Sequence, residues 1–110
     1  MVSGEDGTAL GYNAHGGQGC ISVTANLAPK LCAQFQAACA AGDYAKAREY
    51  QDRLMPLHEG LFCETSPAPV KYGASLLGLC SPEVRLPLVE ASENARATVE
   101  KAMKTAGLNF

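Results

Sequence analysis

The chain has 110 residues, of which 47% are apolar and 18% are charged, and its net charge is -2 at pH 7. This composition is typical of one small globular domain and excludes a fibrous or intrinsically disordered chain. The basic residues are scattered singly, so no stripe of positive charge predicts a nucleic-acid partner. No apolar run reaches the roughly 18 residues that a membrane span needs, and the acidic first residues do not resemble a secretory signal.

The cysteines indicate a reducing compartment, so we expect a cytoplasmic location. Their number is odd, their spacings are irregular, and no CxxC pair occurs. Neither His15 nor His58 falls at metal-ligand spacing with any of them, so we predict no metal site. We therefore interpret the thiols as small buried apolar groups rather than disulfide partners or zinc ligands. The five are Cys20, Cys32, Cys39, Cys63 and Cys80.

The first part of the chain predicts a strand, a helix and a second strand. Residues 1–3 form a possible strand end, and residues 4–7 form a turn. Asp6 within this turn is placed to cap a short helix that reaches Ala14. The glycines of residues 16–19 end that helix. The β-branched run Cys20–Thr24 predicts a short buried strand, so the start of the chain should be a right-handed βαβ unit.

The rest of the chain predicts helices. Asn26 is the expected cap of the first, and Leu27, Leu31, Phe35 and Cys39 mark its apolar face. Residues 41–43 should separate it from a second helix that contains Pro56, where we expect a kink or a nearby break. The apolar stripe of that second helix is Ala47, Tyr50, Leu54, Leu57 and Leu61.

Two further helices should follow an extended connection at residues 64–69. The first runs from about Val70 to Gly78, and residues 81–87 form a proline-bracketed loop. Ser92 should cap the last helix, which ends at Gly107. Its inward face is predicted to consist of Ala95, Val99, Ala102, Met103 and Ala106.

Two parallel strands alone leave a difficulty at their edges. Parallel sheets usually contain more strands and are covered on both faces. Two strands leave unpaired N–H and C=O groups on both outer edges. We therefore expect neighbouring strands from other residues or from another chain.

Six segments, in order, resemble the dihydrodipicolinate synthase family. Gly16–Asn26 resembles the eighth barrel strand and its exit loop, and Ser3–Asp6 resembles the turn after the seventh strand. One departure is visible at Glu64–Pro67, where many members have Glu-Pro-Asn-Pro. The related sialic-acid and keto-deoxygluconate lyases are ranked second, because their carboxy-terminal helices read differently. The other matching segments are residues 53–58, 67–72, 85–88 and 106–108.

The resemblance implies a fold that is mainly α with a short βαβ start. Residues 1–41 would be the last two β/α units of a (β/α)8 TIM barrel, with strands 7 and 8 and their helices. Residues 42–110 would be the helical carboxy-terminal domain. The remaining TIM-barrel portion is then the implied partner, and the family resemblance also implies a homo-oligomer.

The family condenses pyruvate with aspartate semialdehyde in diaminopimelate and lysine synthesis, through a Schiff base on a barrel-strand lysine. The resemblance places that lysine, a relay tyrosine and a threonine pair on earlier strands. The five lysines here, Lys30, Lys46, Lys71, Lys101 and Lys104, all fall on predicted helices. None has the desolvated strand-end setting that activates an amine. We therefore assign no catalytic residue and no cofactor, and expect the chain alone to be inactive.

The resemblance gives two residues a substrate-binding position. Gly4 matches the backbone that borders the pocket, and Ile21 matches the eighth-strand backbone that meets pyruvate. Both would lie at carboxyl ends of barrel strands, where such barrels build their active sites. Glu5 and Asp6 are candidates for general acid–base work, but we favour Asp6 as a helix cap and Glu5 as a solvated turn residue.

Two questions stay open at this point. Tyr12 and His15 lie where tetrameric family members make their weaker subunit contact, but Tyr12 packed inside and His15 merely exposed is an equal alternative. The whole chain could also be a non-enzymatic helical association module, or a truncated fragment without a function of its own.

Overall fold

The computed structural model describes all 110 residues. It contains five α-helices and one short 3-10 helix. The α-helices are α1 (Ala9–Ala14), α2 (Pro29–Ala40), α3 (Tyr44–Gly60), α4 (Ala68–Leu76) and α5 (Glu93–Thr105). A 3-10 helix at Thr24–Asn26 precedes α2. No helix combines the length and the apolar character that crossing a membrane would require.

The predicted βαβ start is reduced to a single parallel bridge between Ser3 and Cys20. The Ser3 N–H donates to Gly19 O and the Ile21 N–H donates to Ser3 O, each over 2.8 Å. The prediction of a buried strand over Cys20–Thr24 is therefore wrong beyond Cys20. The chain turns into the 3-10 helix at Thr24, and the Ile21 side chain is 75% exposed. With no neighbouring strand to continue the ladder, backbone donors of this run bind a carboxylate instead.

Two predicted caps are also wrong. Thr8 rather than Asp6 occupies the cap position of α1, and Ala28 rather than Asn26 occupies that of α2. The Asn26 side chain instead donates to Val23 O over 3.0 Å, inside the 3-10 turn. Pro29 begins α2, where its missing N–H costs nothing because the first helical donors have no partner within the helix.

The hairpin of α2 and α3 agrees with the sequence pattern. Gly42 has φ +76° between the two helices, and Asp43 accepts from Lys46 N at the start of α3. Phe35 and Cys39 of α2 are buried, as are Leu54 and Leu57 of α3. The helix α3 passes through Pro56 and ends four residues later, at Gly60.

The last two helices close the core. The predicted extended connection is wrong at its end, because Ala68 and Pro69 already belong to the first turn of α4, where proline is tolerated. Ser92 accepts from Ala95 N and caps α5, as predicted. All five residues of the predicted inward face of α5 are buried. Arg53 Nη2 donates to Ala106 O over 2.7 Å, which ties α3 to the end of α5.

One apolar core joins these helices. It extends from Ala9 in α1 to Ala106 after α5, and its most deeply buried large side chains include Leu54, Leu57, Leu61 and Met103. Gly73 of α4 allows close packing here, because a Cβ at this position would lie 2.7 Å from a methyl of Leu27. The division of the chain at residues 41 and 42 stays a prediction.

Candidate functional site

Gly4 and Ile21 lie side by side at one end of the short parallel ladder. Each directly follows a bridged residue, Ser3 and Cys20 respectively. The Ile21 N–H is bound by Ser3 O, while the Ile21 side chain is 75% exposed. A Cβ placed on Gly4 would meet no atom within 4 Å. The structure therefore brings the two predicted substrate-binding residues to the same edge, where both are accessible.

An open cleft borders one of the two residues. It has a volume of about 730 Å³ and lies between the turn at Gly4–Thr8 and one side of α3. Gly4 and Asp6 line it from the turn, Met55 and His58 line it from α3, and Phe62 lines it from the residues just after α3. Ile21 lies outside this lining. The cleft has no lysine in its lining, so it holds polar and apolar contacts but no amine nucleophile.

Asp6 caps a different turn from the one predicted. Its carboxylate accepts from Ser22 Oγ over 2.5 Å, from Val23 N over 3.1 Å and from Thr24 N over 3.4 Å. These donors belong to the residues that begin the 3-10 helix, so Asp6 caps that helix from a position 16 to 18 residues earlier in the sequence. Glu5 is exposed, and only its backbone is hydrogen-bonded, to Ser3 Oγ. Glu5 is thus a solvated turn residue, as predicted.

His58 is a residue of this region to which the sequence reasoning gave no role. Its Nδ1 lies 2.7 Å from Thr24 Oγ1, and both side chains are buried. Burial lowers the pKa of the His58 imidazole, and the opposing pull of the nearby Asp6 carboxylate is the smaller effect. His58 is therefore held as a neutral ring. The available signal was its position next to Leu57 on the apolar stripe of α3.

Two thiols lie near the Asp6 carboxylate, in a cavity of about 240 Å³. Burial raises the pKa of Cys32 to about 11, with Asp6 adding to the effect. Burial and Asp6, in that order, also raise the pKa of Cys20. Both thiols are thus held protonated and are poor nucleophiles at neutral pH.

The expectation of buried cysteines is correct for only part of the set. Cys39 is buried and Cys20 and Cys32 are half-buried, but Cys63 and Cys80 are exposed. The last two lie in connections after α3 and α4, where apolar neighbours in sequence do not guarantee burial. All five are free thiols. No group of three His, Cys, Asp or Glu side chains is arranged to hold a metal ion.

Every lysine lies on one of the helices α2 to α5, as the sequence predicted. Lys30, Lys46, Lys101 and Lys104 are exposed, and Lys71 Nζ donates to Glu83 O. None lines the cavity beside Asp6 or the cleft beside Gly4. The five lysine amines of the chain thus lie outside both of these spaces.

Tyr12 and His15 differ in their packing. The Tyr12 ring covers Gly17 so closely that a Cβ on Gly17 would lie 2.1 Å from it. His15 is exposed, and its Nδ1 is hydrogen-bonded to Gly11 O within the same helix end, over 2.7 Å. A role for either residue in subunit contact stays a prediction.

Comparison with known proteins gives a consistent result. Residues 1–106 match the dihydrodipicolinate synthetase family. The 4-hydroxy-tetrahydrodipicolinate synthases of Parvibaculum lavamentivorans and Jannaschia sp. are 66% and 64% identical over 108 residues. These alignments cover 98% of this chain but 37% of each relative.

Solved structures agree with the sequence comparison. The dihydrodipicolinate synthase from Aquifex aeolicus superposes with a TM-score of 0.92 at 37% identity, over 97% of this chain and 36% of that one. The chloride-inhibited enzyme from Acinetobacter baumannii, solved with pyruvate, gives 0.92 at 39% identity, over 98% and 37%. The chain therefore belongs to the dihydrodipicolinate synthetase family, and it corresponds to the carboxy-terminal part of such an enzyme.

Proposed function

We propose that these residues form one flank of the pyruvate pocket, together with the helical domain, of a 4-hydroxy-tetrahydrodipicolinate synthase. The complete enzyme would condense pyruvate with aspartate semialdehyde in lysine and diaminopimelate synthesis. The observation that carries this proposal is the adjacent placement of Gly4 and Ile21 at one end of a parallel ladder. In barrels of this kind, that end of the strands is the one that builds the active site.

The exposure of the ladder supports the proposal that further barrel strands cover it in the complete enzyme. Met1 and Val2 are 87% and 55% exposed, and Ile21 is 75% exposed, so apolar groups stand open on both segments. A parallel ladder of two short segments is rare outside a larger covered sheet. These residues would be the last two β/α units of a (β/α)8 barrel, and the other six strands would cover the open groups.

The chain alone would be catalytically inactive. Its pocket flank offers a backbone, a glycine and an isoleucine side chain, which provide shape but no nucleophile. The Schiff-base lysine and the relay tyrosine would come from the remaining barrel portion. The complete enzyme would work in the cytoplasm as a homo-oligomer, in keeping with the free thiols of this chain.

A chimera tests the proposal. The matching 108 residues of the Parvibaculum lavamentivorans synthase are replaced by those of this chain, and condensation is measured with pyruvate and aspartate semialdehyde. We expect an active enzyme. A soluble, folded chimera without activity would contradict the proposal.

Trapping with borohydride tests the missing nucleophile. The 110-residue chain is incubated with pyruvate, reduced with borohydride and weighed by mass spectrometry, and the chimera is treated in parallel. We expect an adduct on the chimera and none on the chain. An adduct on the chain alone would show that one of its own amines is activated.

A further inference from the structure

The three residues that follow Ile21 are bound from one side by a single carboxylate. Asp6 Oδ1 receives Ser22 Oγ–H, and Asp6 Oδ2 receives the N–H groups of Val23 and Thr24. Ser22 Oγ in turn accepts from Ala25 N over 2.9 Å. Hydrogen bonds to an ionised acceptor are stronger than those between neutral groups. The turn that contains Gly4 is thus hydrogen-bonded to the three residues that follow Ile21.

The last of these three residues, Thr24, is also bound by α3. Thr24 is fully buried, and its hydroxyl is hydrogen-bonded to His58 Nδ1 over 2.7 Å. Thr24 is therefore held by its backbone to Asp6 and by its side chain to His58. His58 lies on α3, a 17-residue helix whose Leu54 and Leu57 are buried in the core, so the bond to His58 connects Thr24 to the packed helices.

We infer that Asp6 and His58 are positioning residues that hold residues 22–24 in place, so that Ile21 keeps its register beside Gly4. The inference rests on the proposed function, because it assigns the pair a task in shaping the pyruvate pocket. Positions in a binding site are fixed by such supporting hydrogen bonds as much as by the contacts themselves.

The geometry favours support over proton transfer. Both Asp6 oxygens accept hydrogen bonds from donors of the chain itself. The Cys20 thiol is a third group that donates to Oδ1, over 3.9 Å. The His58 Nδ1 is occupied by Thr24. The Asp6 carboxylate is thus committed to the chain, and the His58 nitrogen that faces residues 22–24 is committed to Thr24, whereas a general base needs an atom within reach of the substrate. Their effect on a reaction would pass through Ile21 and Gly4.

Two substitutions of Asp6 in the active chimera distinguish support from acid–base chemistry. Asp6→Ala removes every acceptor. Asp6→Asn has the same shape, and its amide oxygen still accepts from Val23 and Thr24 while its NH2 donates to Ser22 Oγ. For Asp6→Ala we expect the KM for pyruvate to rise about ten-fold with kcat changed less than about two-fold, since one lost charged acceptor suffices for that. For Asp6→Asn we expect near-normal values.

The matched control is Asp52→Asn, which neutralises an exposed carboxylate on α3 and should leave both constants unchanged. A fall in kcat that is equal for Asp6→Ala and Asp6→Asn would overturn the inference, because it would indicate proton transfer. An unchanged KM for Asp6→Ala would overturn it as well.

A second measurement separates this inference from the proposed function. Amide hydrogen exchange is followed by NMR in the 110-residue chain, with and without Asp6→Ala. We expect the amides of Val23 and Thr24 to exchange at least about ten-fold faster in the variant, while those of α5 do not change. Unchanged exchange at Val23 and Thr24 would overturn the inference even if the chimera is active. An inactive chimera, together with faster exchange at Val23 and Thr24 in the variant chain, would overturn the proposed function. It would still support the role of Asp6 in holding residues 22–24.

Discussion

The first 26 residues and the helices α2 to α5 are held together by different chemistry. In the first segment Ala9 is the only buried apolar residue, and the other buried side chains are the polar Ser3, Asn13 and Thr24. The helices α2 to α5 and the residues that adjoin them, such as Leu27 and Leu61, supply the rest of the buried apolar core. The stabilisation from burying apolar side chains is roughly proportional to the area removed from water and does not depend on direction. A buried polar group, in contrast, requires a hydrogen-bond partner.

Three polar pairs join the first segment to the helices, alongside apolar contacts such as those of Ala9 and Val23 with the core. Asn13 Nδ2 donates to Gln36 Oε1 over 2.9 Å, and Tyr44 OH donates to Asn13 O over 3.1 Å. The bond between Thr24 and His58 is the third link. The helices therefore carry most of the stability, while the first segment forms the edge with Gly4 and Ile21 and depends on the helices for its packing.

The largest expected effect breaks the helical side of this comparison. Leu57 of α3 is fully buried in the core. We expect Leu57→Ala to lower the free energy of unfolding by about 3 kcal/mol, because the lost side chain leaves a cavity among close-packed neighbours. Urea unfolding followed by circular dichroism measures the change.

The matched truncation on the other side is Ile21→Ala, since Ile21 is 75% exposed. Its cost in the 110-residue chain should be within about 0.5 kcal/mol. A loss comparable to that of Leu57→Ala would contradict the description of the ladder as an uncovered edge.

A smaller effect is expected at the cap of the last helix. Ser92 Oγ accepts from Ala95 N over 3.2 Å and also donates to the Glu64 carboxylate. We expect Ser92→Ala to cost about 1 kcal/mol, because an N–H of the first turn of α5 loses its partner. Ser81→Ala, in the exposed loop before α5, is the control for losing a hydroxyl. Equal unfolding midpoints for the two variants would show that the cap is not a stabilising contact.

A pH effect should join the two regions at His58. Its pKa is lowered in the folded chain, so the unfolded state binds a proton first as the pH falls below about 6.5. Stability from this group is complete above that pH and decreases as the pH falls toward the folded pKa. We expect the urea midpoint to fall between pH 7 and pH 5.

His58→Gln removes the titrating group and should flatten that part of the profile. The carboxylate of Glu64, whose pKa is lowered by its hydrogen bonds from Ser92, acts only at lower pH. A profile that is the same for His58→Gln and the unsubstituted chain would contradict a neutral buried histidine.

The smallest effect concerns thiol reactivity. Cys63 and Cys80 are exposed, whereas burial raises the pKa of Cys32 to about 11. We expect iodoacetamide at pH 7.5 to modify Cys63 and Cys80 well before Cys32, because the thiolate is the reacting form. Peptide mass mapping over time gives the order. Early modification of Cys32 in a chain that remains folded would contradict the closed packing beside Asp6.

The helices were predictable because each is specified by its own residues. Asp43 and Ser92 are caps that bind donors three residues away, and the apolar stripe ending at Leu61 repeats at helical spacing. The family followed from the ordered segments, and the same resemblance predicted that Gly4 and Ile21 lie at the carboxyl ends of neighbouring strands. These features depend on local sequence or on a long ordered resemblance.

The first segment was less predictable because its contacts are distant in sequence. Asp6 is typical of a cap for the helix that follows it, but its partners lie 16 to 18 residues away. The run at Cys20–Thr24 has strand-forming residues, yet the backbone N–H groups of Val23 and Thr24 bind Asp6 rather than a further strand. His58 resembles an ordinary member of an apolar stripe, and only the fold shows that Thr24 reaches it across 34 residues.

Hydrogen exchange with and without a barrel partner tests the central claim most directly. The 110-residue chain is mixed with the amino-terminal barrel portion of the Parvibaculum lavamentivorans synthase, and amide exchange is compared with that of the chain alone. We predict that the ladder amides, at residues 1–3 and 19–21, exchange rapidly in the chain alone and become protected in the mixture, while α3 and α5 are protected in both. Strong protection of these ladder amides without the partner, or none with it, would contradict the account.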